Sequence, residues 1–233
     1  MQAICWDFDG TLAYSNHLWS GSIWEALKET LPDTAIALDD VKPYTATGFT
    51  WHTPENDYSE WMGERWWDYM NKYFETIYLS LGLDSHIAKA ASQKVRFLIK
   101  DRKKYHLYDD TMAVLEWAKK AGFQNILLSN NYPDLCDVLS ELGLTQYFDA
   151  FVISAQIGYD KPRKEIFDYA KNALSDIEQY YMVGDSVPAD IIGGKKSGMT
   201  TILVHKPPHE LADYCVASLG EICPLLASHA ENS

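Results

Sequence analysis

The sequence predicts an α/β fold, in which helices cover both faces of a parallel sheet and an all-helical segment is inserted after the first strand. Two observations predict the sheet: short, continuously apolar runs suit strands buried on both faces, and helical patterns alternate with them in the later part of the chain. A third predicts the insertion, because a long segment after the first run contains helical patterns only.

Short apolar runs are the candidate strands. Each is bounded by polar residues or glycine, as buried strands usually are. The runs lie at residues 3–8, 125–129, 150–154, 180–184 and 200–204. A further run at 213–219 is expected to add a strand at one edge of the sheet.

Helical patterns connect the later runs. Residues 111–122 place Val114 and Leu115 on one face and end at Gly122, a residue type that commonly ends helices. The other helical segments lie at 132–143, 162–174 and 187–198. Strands and helices therefore alternate, which predicts a Rossmann-like core with parallel strands.

Residues 14–105 interrupt this alternation. They are rich in aromatic side chains at helical spacing and contain no run that suits a buried strand. We therefore predict an α/β core formed by residues 1–13 and 106–233, and a helical domain formed by residues 14–105. Most of the aromatic side chains should form the interior of that domain. The candidates to line a substrate pocket are Trp51, His52 and Trp61.

Composition argues against several classes of protein. The chain has 20 basic and 33 acidic residues, a net charge of −13, which disfavours nucleic acid polymers and anionic membranes as partners. Its 4 cysteines form no CxxC pair, so we expect neither a zinc site nor a disulfide framework.

Neither a signal-peptide pattern nor a membrane-spanning run is visible, so we expect a cytoplasmic protein. We expect it to be monomeric or homodimeric. Residues 227–233 are expected to form a frayed tail.

Polar residues follow four of the predicted strands, and open parallel sheets bind ligands beyond the carboxyl ends of their strands. These residues are Asp7, Asp9, Gly10 and Thr11 after the first strand, Ser129, Asn130 and Asn131 after the second, Lys161 after the third, and Asp185, Ser186 and Asp190 after the fourth. Carboxylates, a hydroxyl group, a lysine and amides are together the groups of a magnesium-assisted phosphoryl-transfer site.

The chemistry of such a site suggests roles for these side chains. Asp7 and Asp9 are two residues apart, so on one strand both would point the same way. One carboxylate can attack phosphorus and form an aspartyl-phosphate, while the other protonates the leaving oxygen and later deprotonates water. Asp7 and Asp185 can bind Mg²⁺, and Lys161 and Ser129 can hold the phosphoryl oxygens.

These four segments, in this order, resemble the phosphatase-type hydrolases of the haloacid dehalogenase superfamily. The resembling segments are DFDGT at 7–11, LLSN at 127–130, GYDKPRKEIF at 158–167 and GDSVPAD at 184–190. The resemblance covers about residues 1–13 and 106–220 and implies that the helical insertion is a cap that closes over the site. Arg163 and Lys164 replace the acidic residue and proline usual in the third motif, which implies a change in the loop rather than in the chemistry.

The resemblance also implies a role for each residue of the site. Asp7 is then the nucleophile and Asp9 the acid and base, with Ser129 and Lys161 completing the catalytic set. The main-chain carbonyl of Asp9 joins Asp7 and Asp185 as ligands of Mg²⁺. The remaining expected site residues are Asp190, which would orient its neighbours, and Thr11 and Asn130, which would contact the substrate.

Asp9 favours phosphoester chemistry over the superfamily's other reactions. The resemblance implies this, because the dehalogenases and phosphonate hydrolases of the superfamily lack an acid at this position. An acid here can protonate an alkoxide leaving group. We therefore expect a Mg²⁺-dependent phosphatase that hydrolyses a small phosphorylated metabolite through an aspartyl-phosphate. A phosphosugar mutase that uses the same motifs is the alternative, and a binding protein that has kept only the fold is a third hypothesis.

Overall fold

The computed structural model describes residues 1–230, with side chains through residue 227. The strands of the main sheet are β1 (Gln2–Trp6), β4 (Gln124–Ser129), β5 (Ala150–Ile153), β6 (Gln179–Gly184), β7 (Thr200–Val204) and β8 (Tyr214–Val216). They form a six-stranded parallel sheet with the order β5-β4-β1-β6-β7-β8. The predicted α/β class and the predicted edge strand are confirmed.

Alternating side chains of the central strands enter two separate apolar clusters, one on each face of the sheet. In β1, Ile4 and Trp6 belong to the larger cluster, while Ala3 and Cys5 belong to the smaller one. All four side chains are fully buried. Both faces are therefore covered, as the continuous apolar runs predict.

Helices between and after the strands of the core supply this cover. They are α5 (Thr111–Lys120), α6 (Leu135–Glu141), α7 (Ser154–Ile157), α8 (Lys164–Asn172), α9 (Gly193–Lys196) and α10 (Ile222–Ala230). A π-helical turn at Val187–Ile192 precedes α9, so the predicted helix at 187–198 is irregular at its start. Residues 227–230 belong to α10 instead of the predicted frayed tail, whose last residues, 231–233, lie outside the described part of the chain.

Helices also make up the segment between β2 (Ala13–Tyr14) and β3 (His106–Leu107), which pair as a two-stranded antiparallel ribbon. Its α-helices are α1 (Leu18–Thr30), α2 (Leu38–Val41), α3 (Glu64–Ser80) and α4 (Ser85–Ile99). Side chains at helical spacing in α3, Trp66, Met70 and Ile77 among them, are buried. The ribbon lies at the predicted boundaries, although the division into two domains stays a prediction.

The first strand is shorter than its apolar run. It ends at Trp6, so Asp7 and Asp9 lie in the loop beyond it, and strand alternation does not explain how they point. Phe8 is buried but belongs to the loop. The predicted strand was therefore too long, because it treated this buried apolar residue as part of the strand. Within residues 1–230, no helix has the length and apolar character needed to cross a membrane.

Candidate active site

A tight loop after β1 places Asp7 and Asp9 at the carboxyl edge of the sheet. The N–H of Asp7 donates to the carbonyl oxygen of Val183 at 3.0 Å, which fixes the start of the loop against β6. The carbonyl oxygen of Phe8 accepts hydrogen bonds from the N–H groups of residues 11–13, at 3.3, 2.9 and 3.0 Å. The chain therefore reverses within a few residues and returns to the ribbon.

The predicted residues converge on one cavity of about 330 Å³. Its predicted lining residues are Asp7, Asp9, Asn130, Lys161, Asp185 and Asp190. They come from the segments that follow β1, β4, β5 and β6, which are neighbours in the sheet. Ser129 and Thr11 are buried beside this cavity rather than in its lining.

Lys161 is the centre of the buried charges. Its ammonium group donates to Asp7 Oδ1 at 2.8 Å, to Asp190 Oδ1 at 2.6 Å and to the carbonyl oxygen of Leu128 at 2.8 Å. Burial alone would lower the pKa of Lys161, but the charges of Asp190 and Asp7 outweigh burial and raise it. Lys161 is therefore cationic at any physiological pH and neutralises part of the carboxylate cluster.

Both oxygens of Asp190 already accept a hydrogen bond. Lys161 occupies one oxygen, and the N–H of Ser186 donates to the other at 3.0 Å. Its side chain is fully buried. This geometry suits the predicted role of orienting a neighbour, which here is the Lys161 ammonium group.

Asp9 has a carboxyl group that can hold a proton near neutral pH. Burial, and then the negative charge of Asp7, raise the pKa of Asp9 to about 7, although a hydrogen bond from Asn131 acts in the opposite direction. That bond runs from Asn131 Nδ2 to Asp9 Oδ2 and is 2.6 Å long. A carboxylic acid held in place by an amide is suited to proton transfer in both directions.

Asn131 is one of the polar residues predicted at the strand ends, but the sequence assigns it no role. Its neighbour Asn130 is predicted to contact the substrate, and Asn130 does line the cavity. However, Asn130 Oδ1 accepts from the Lys161 N–H at 2.6 Å, and its Nδ2 donates to the Lys161 carbonyl oxygen at 3.0 Å. Asn130 thus fixes the backbone of Lys161, and its contact with substrate stays a prediction.

Ser129 and Thr11 contact other site residues. Thr11 Oγ1 donates to Asp7 Oδ2 at 3.3 Å, and Ser129 Oγ accepts from Asn131 Nδ2 at 3.4 Å. The two hydroxyl groups are therefore placed to hold the carboxylate of Asp7 and the amide of Asn131. Their predicted roles towards the phosphoryl group remain predictions.

The carboxylates fit a divalent cation. Oxygens of Asp7, Asp185 and Asp190 lie within 4.8 Å of one another. Burial, and then the charge of Asp7, raise the pKa of Asp185, which is the expected effect of close, partly uncompensated carboxylates. Lys206, a residue outside the four motifs, has its ammonium group 3.1 Å from Asp185 Oδ2. Asp190 is fully buried and paired with Lys161, so Asp7 and Asp185 remain the predicted side-chain ligands of Mg²⁺.

Gly10 allows Asp185 to approach the loop. Its φ is +85°, and a Cβ at this position would lie 2.4 Å from Asp185 Oδ2. We expect Gly10→Ala to lower phosphate release by about a hundredfold, because the Cβ would displace Asp185, a predicted Mg²⁺ ligand, and a misplacement of about 1 Å can cost that much. The measurement is kcat/KM, with unfolding by urea followed in parallel.

Gly82 provides a matched control for this variant. Its φ is +84°, but nothing lies within 4 Å of a Cβ there. Both alanine variants should lose about 1–2 kcal/mol of stability from left-handed backbone strain. Equal activity in the two variants would show that the contact with Asp185 does not matter.

The helical insertion also contributes to the cavity wall. Trp51 and Pro54 line it together with residues of the core. Trp51 was one of the three aromatic candidates, whereas His52 and Trp61 line neither this cavity nor the smaller one next to it. Trp61 instead contacts the ring of Tyr69, with ring centroids 5.6 Å apart.

Comparison with known families agrees with the site. The model of the haloacid dehalogenase-like hydrolases matches residues 1–198, most of the chain. The chain therefore belongs to the haloacid dehalogenase-like hydrolase family, as the four motifs predicted.

Curated relatives match over parts of their length. The chain is 37% identical over 111 residues to pyrimidine 5′-nucleotidase YjjG of Escherichia coli, covering 44% of this chain and 49% of that protein. It is 30% identical over 139 residues to phosphoserine phosphatase of Thermus thermophilus, covering 57% and 56%. The chain thus spans about half the length of these relatives.

Solved structures match over nearly the whole chain. HAD-hydrolase YfnB of Bacillus subtilis, bound to magnesium, superimposes with a TM-score of 0.73 at 20% identity, covering 97% of this chain and 98% of that one. A 2-haloacid dehalogenase of Pseudomonas syringae has a TM-score of 0.71 at 20% identity, covering 98% and 99%. At this identity the likeness shows the fold alone.

Proposed function

We propose that this protein is a Mg²⁺-dependent phosphatase that hydrolyses a small phosphorylated metabolite through an aspartyl-phosphate on Asp7. The observation that carries the proposal is that Asp7, Asp9 and Asp185 line one cavity with a buried lysine. Relatives named as a nucleotidase and as phosphatases support the reaction class.

In the first half of the proposed reaction, the Asp7 carboxylate attacks phosphorus. Lys161 and Thr11 each hold one of its oxygens. The bond between phosphorus and the ester oxygen breaks, the electron pair leaves with that oxygen, and Asp9 gives it a proton. A pKa of about 7 lets Asp9 carry that proton at neutral pH.

In the second half, Asp9 takes a proton from water. The resulting hydroxide attacks the phosphoryl group, the bond to Asp7 breaks, and both carboxylates return to their initial states. Asn131 keeps the Asp9 carboxyl in place for both transfers. Bound by Asp7 and Asp185, Mg²⁺ would supply positive charge to the phosphoryl oxygens.

The helical insertion, residues 14–105, is proposed to act as the cap. Trp51 and Pro54 support this role, because they contribute to the same cavity as the catalytic carboxylates. A cap that covers the site would favour small substrates over proteins. The cytoplasmic location and the monomeric or homodimeric state remain predictions from composition.

The test is phosphate release from p-nitrophenyl phosphate and a panel of metabolite phosphates. We expect turnover with Mg²⁺, loss of turnover in EDTA, and recovery when Mg²⁺ is added in excess, because Asp7 and Asp185 provide the oxygen ligands that Mg²⁺ prefers. Circular dichroism before and after EDTA controls for unfolding. Unchanged turnover in EDTA would remove the metal from the proposal, and no turnover of any ester would refute phosphatase activity.

A further inference from the structure

We propose that the substrate is a monophosphate ester whose leaving group is uncharged and aromatic, as in a nucleoside 5′-monophosphate, and that Trp51 and Trp19 recognise that leaving group. The inference rests on the proposed function, because it describes the part of the same substrate beyond its phosphoryl group. Its support comes from a second cavity, from the rings in that cavity and from the charges around it.

The second cavity, of about 240 Å³, begins at Asp9. It shares Asp9, Trp51 and Asn130 with the cavity of the carboxylates. In the proposed reaction Asp9 gives its proton to the leaving oxygen, so the leaving group must lie on the side of Asp9. The second cavity is therefore where the leaving group would be bound.

Aromatic rings form one wall of this leaving-group cavity. Trp19 and Trp51 both line it, with ring centroids 5.8 Å apart, and both side chains are partly exposed. Phe49 stacks on Trp51 at 4.7 Å with an interplanar angle of 9°, and it also contacts Trp19 at 4.6 Å. Phe49 thus packs against both tryptophan rings and restricts their positions. The two rings provide a large apolar surface for an aromatic ligand.

The described residues of the leaving-group cavity offer no cationic side chain to a second anionic group of the substrate. Among the described residues that line either cavity, the only cation is Lys161, and its three protons are already donated. Lys206 pairs with Asp185 and lines neither cavity. A carboxylate or second phosphate on the leaving group would face Asp9 without a cationic partner. The free energy needed to remove that charge from water would then not be offset by an ion pair.

Few polar groups are left for the hydroxyls of a sugar. The amides of Asn130 and Asn131 already bond Lys161 and Asp9. The other lining residues of this cavity are Ser15, Leu18, Trp19 and Trp51. The lining thus favours an aromatic group over a bare sugar, and it does not suit the sugar bisphosphate that a phosphosugar mutase requires.

The experiment compares matched substrates on the full chain with Mg²⁺. Uridine 5′-monophosphate and ribose 5-phosphate differ chiefly by the base, and O-phosphoserine and fructose 1,6-bisphosphate add charged groups. We expect kcat/KM for the nucleotide to exceed the values for the other three by at least about fivefold, since stacking of one base on an aromatic side chain contributes about 1–3 kcal/mol.

Two tryptophan variants assign the effect to the wall. Trp51→Ala should lower kcat/KM for uridine 5′-monophosphate by about 5- to 150-fold, mainly through KM, and change that for ribose 5-phosphate much less. Trp61→Ala is the control, because Trp61 is another partly buried tryptophan of the insertion that lines neither cavity. Trp51→Phe keeps an aromatic ring and should retain part of the preference, which guards against misfolding of the alanine variant.

Preference for the bisphosphate or for O-phosphoserine would overturn the inference, as would equal losses for both ribose substrates in Trp51→Ala. Either result would leave the phosphatase reaction standing. Failure of the wild-type protein on every ester, p-nitrophenyl phosphate included, would instead refute the proposed function. The two proposals can therefore fail separately.

Discussion

Asp7→Asn should reduce phosphate release from p-nitrophenyl phosphate by at least about a thousandfold, because an amide oxygen cannot form the covalent intermediate. Asparagine has nearly the same shape, and its carbonyl oxygen can still accept the hydrogen bond that Lys161 donates to Asp7 Oδ1. The variant should therefore fold. Single-turnover phosphate release and the urea unfolding curve measure the two expectations.

A direct observation of the intermediate strengthens this test. Wild-type protein quenched in acid during turnover should carry a phosphoryl group on the peptide that contains Asp7, and the Asp7→Asn protein should not. Asp68→Asn is a suitable control because Asp68 is an exposed carboxylate of the helical insertion. A phosphorylated peptide from another part of the chain, or high activity in Asp7→Asn, would rule out Asp7 as the nucleophile.

The sheet could be predicted from sequence because its strands are buried on both faces. β7, for example, occupies the predicted residues 200–204, where five consecutive residues favour a strand. The end of β1 could not be predicted in the same way. Phe8 continues the apolar run, but its carbonyl oxygen accepts three hydrogen bonds from its own loop, so the backbone leaves the sheet at Trp6. Apolar patterning reports burial, whereas backbone hydrogen bonds decide where a strand ends.

Some residues of the candidate site could be predicted from sequence, and others could not. Asp7, Asp9, Lys161 and Asp185 were predictable because they carry charge at strand ends, where parallel sheets bind ligands. Asn130 and Asn131 are adjacent amides, and the sequence does not say which one faces Asp9. The distinction depends on contacts with residues far along the chain, at Lys161 for one and at Asp9 for the other.

The aromatic wall shows the same limit. Trp19 and Trp51 lie in different parts of the insertion, and both rings contact Phe49. The sequence predicts that most aromatic residues of the insertion lie in its interior. Trp66 and Trp67 are buried there, whereas Trp19 and Trp51 are partly exposed. Which ring lines the cavity depends on tertiary packing, and periodicity along one helix does not contain that information.

Lys161→Met should lower the free energy of unfolding by about 3–5 kcal/mol, the usual loss when one partner of a buried ion pair is removed. The lysine is 2% exposed and lies between Asp7 and Asp190, which are 7% and 0% exposed. Methionine fills a similar volume but leaves two buried carboxylates without their cation. Urea unfolding should show the loss, and phosphate release should disappear with it.

A second substitution tests whether charge is the cause of this instability. Asp190→Asn, added to Lys161→Met, removes one of the two uncompensated carboxylates and should restore much of the stability without restoring activity. Lys164→Met is the control, because Lys164 forms an exposed pair with Asp168 in α8, and such pairs contribute at most about 1 kcal/mol. If Lys161→Met were as stable as the wild type, the buried ion pairs of Lys161 with Asp7 and Asp190 would not contribute to stability. If the double variant stayed as unstable as the single one, the loss would come from packing around the lysine instead of from its charge.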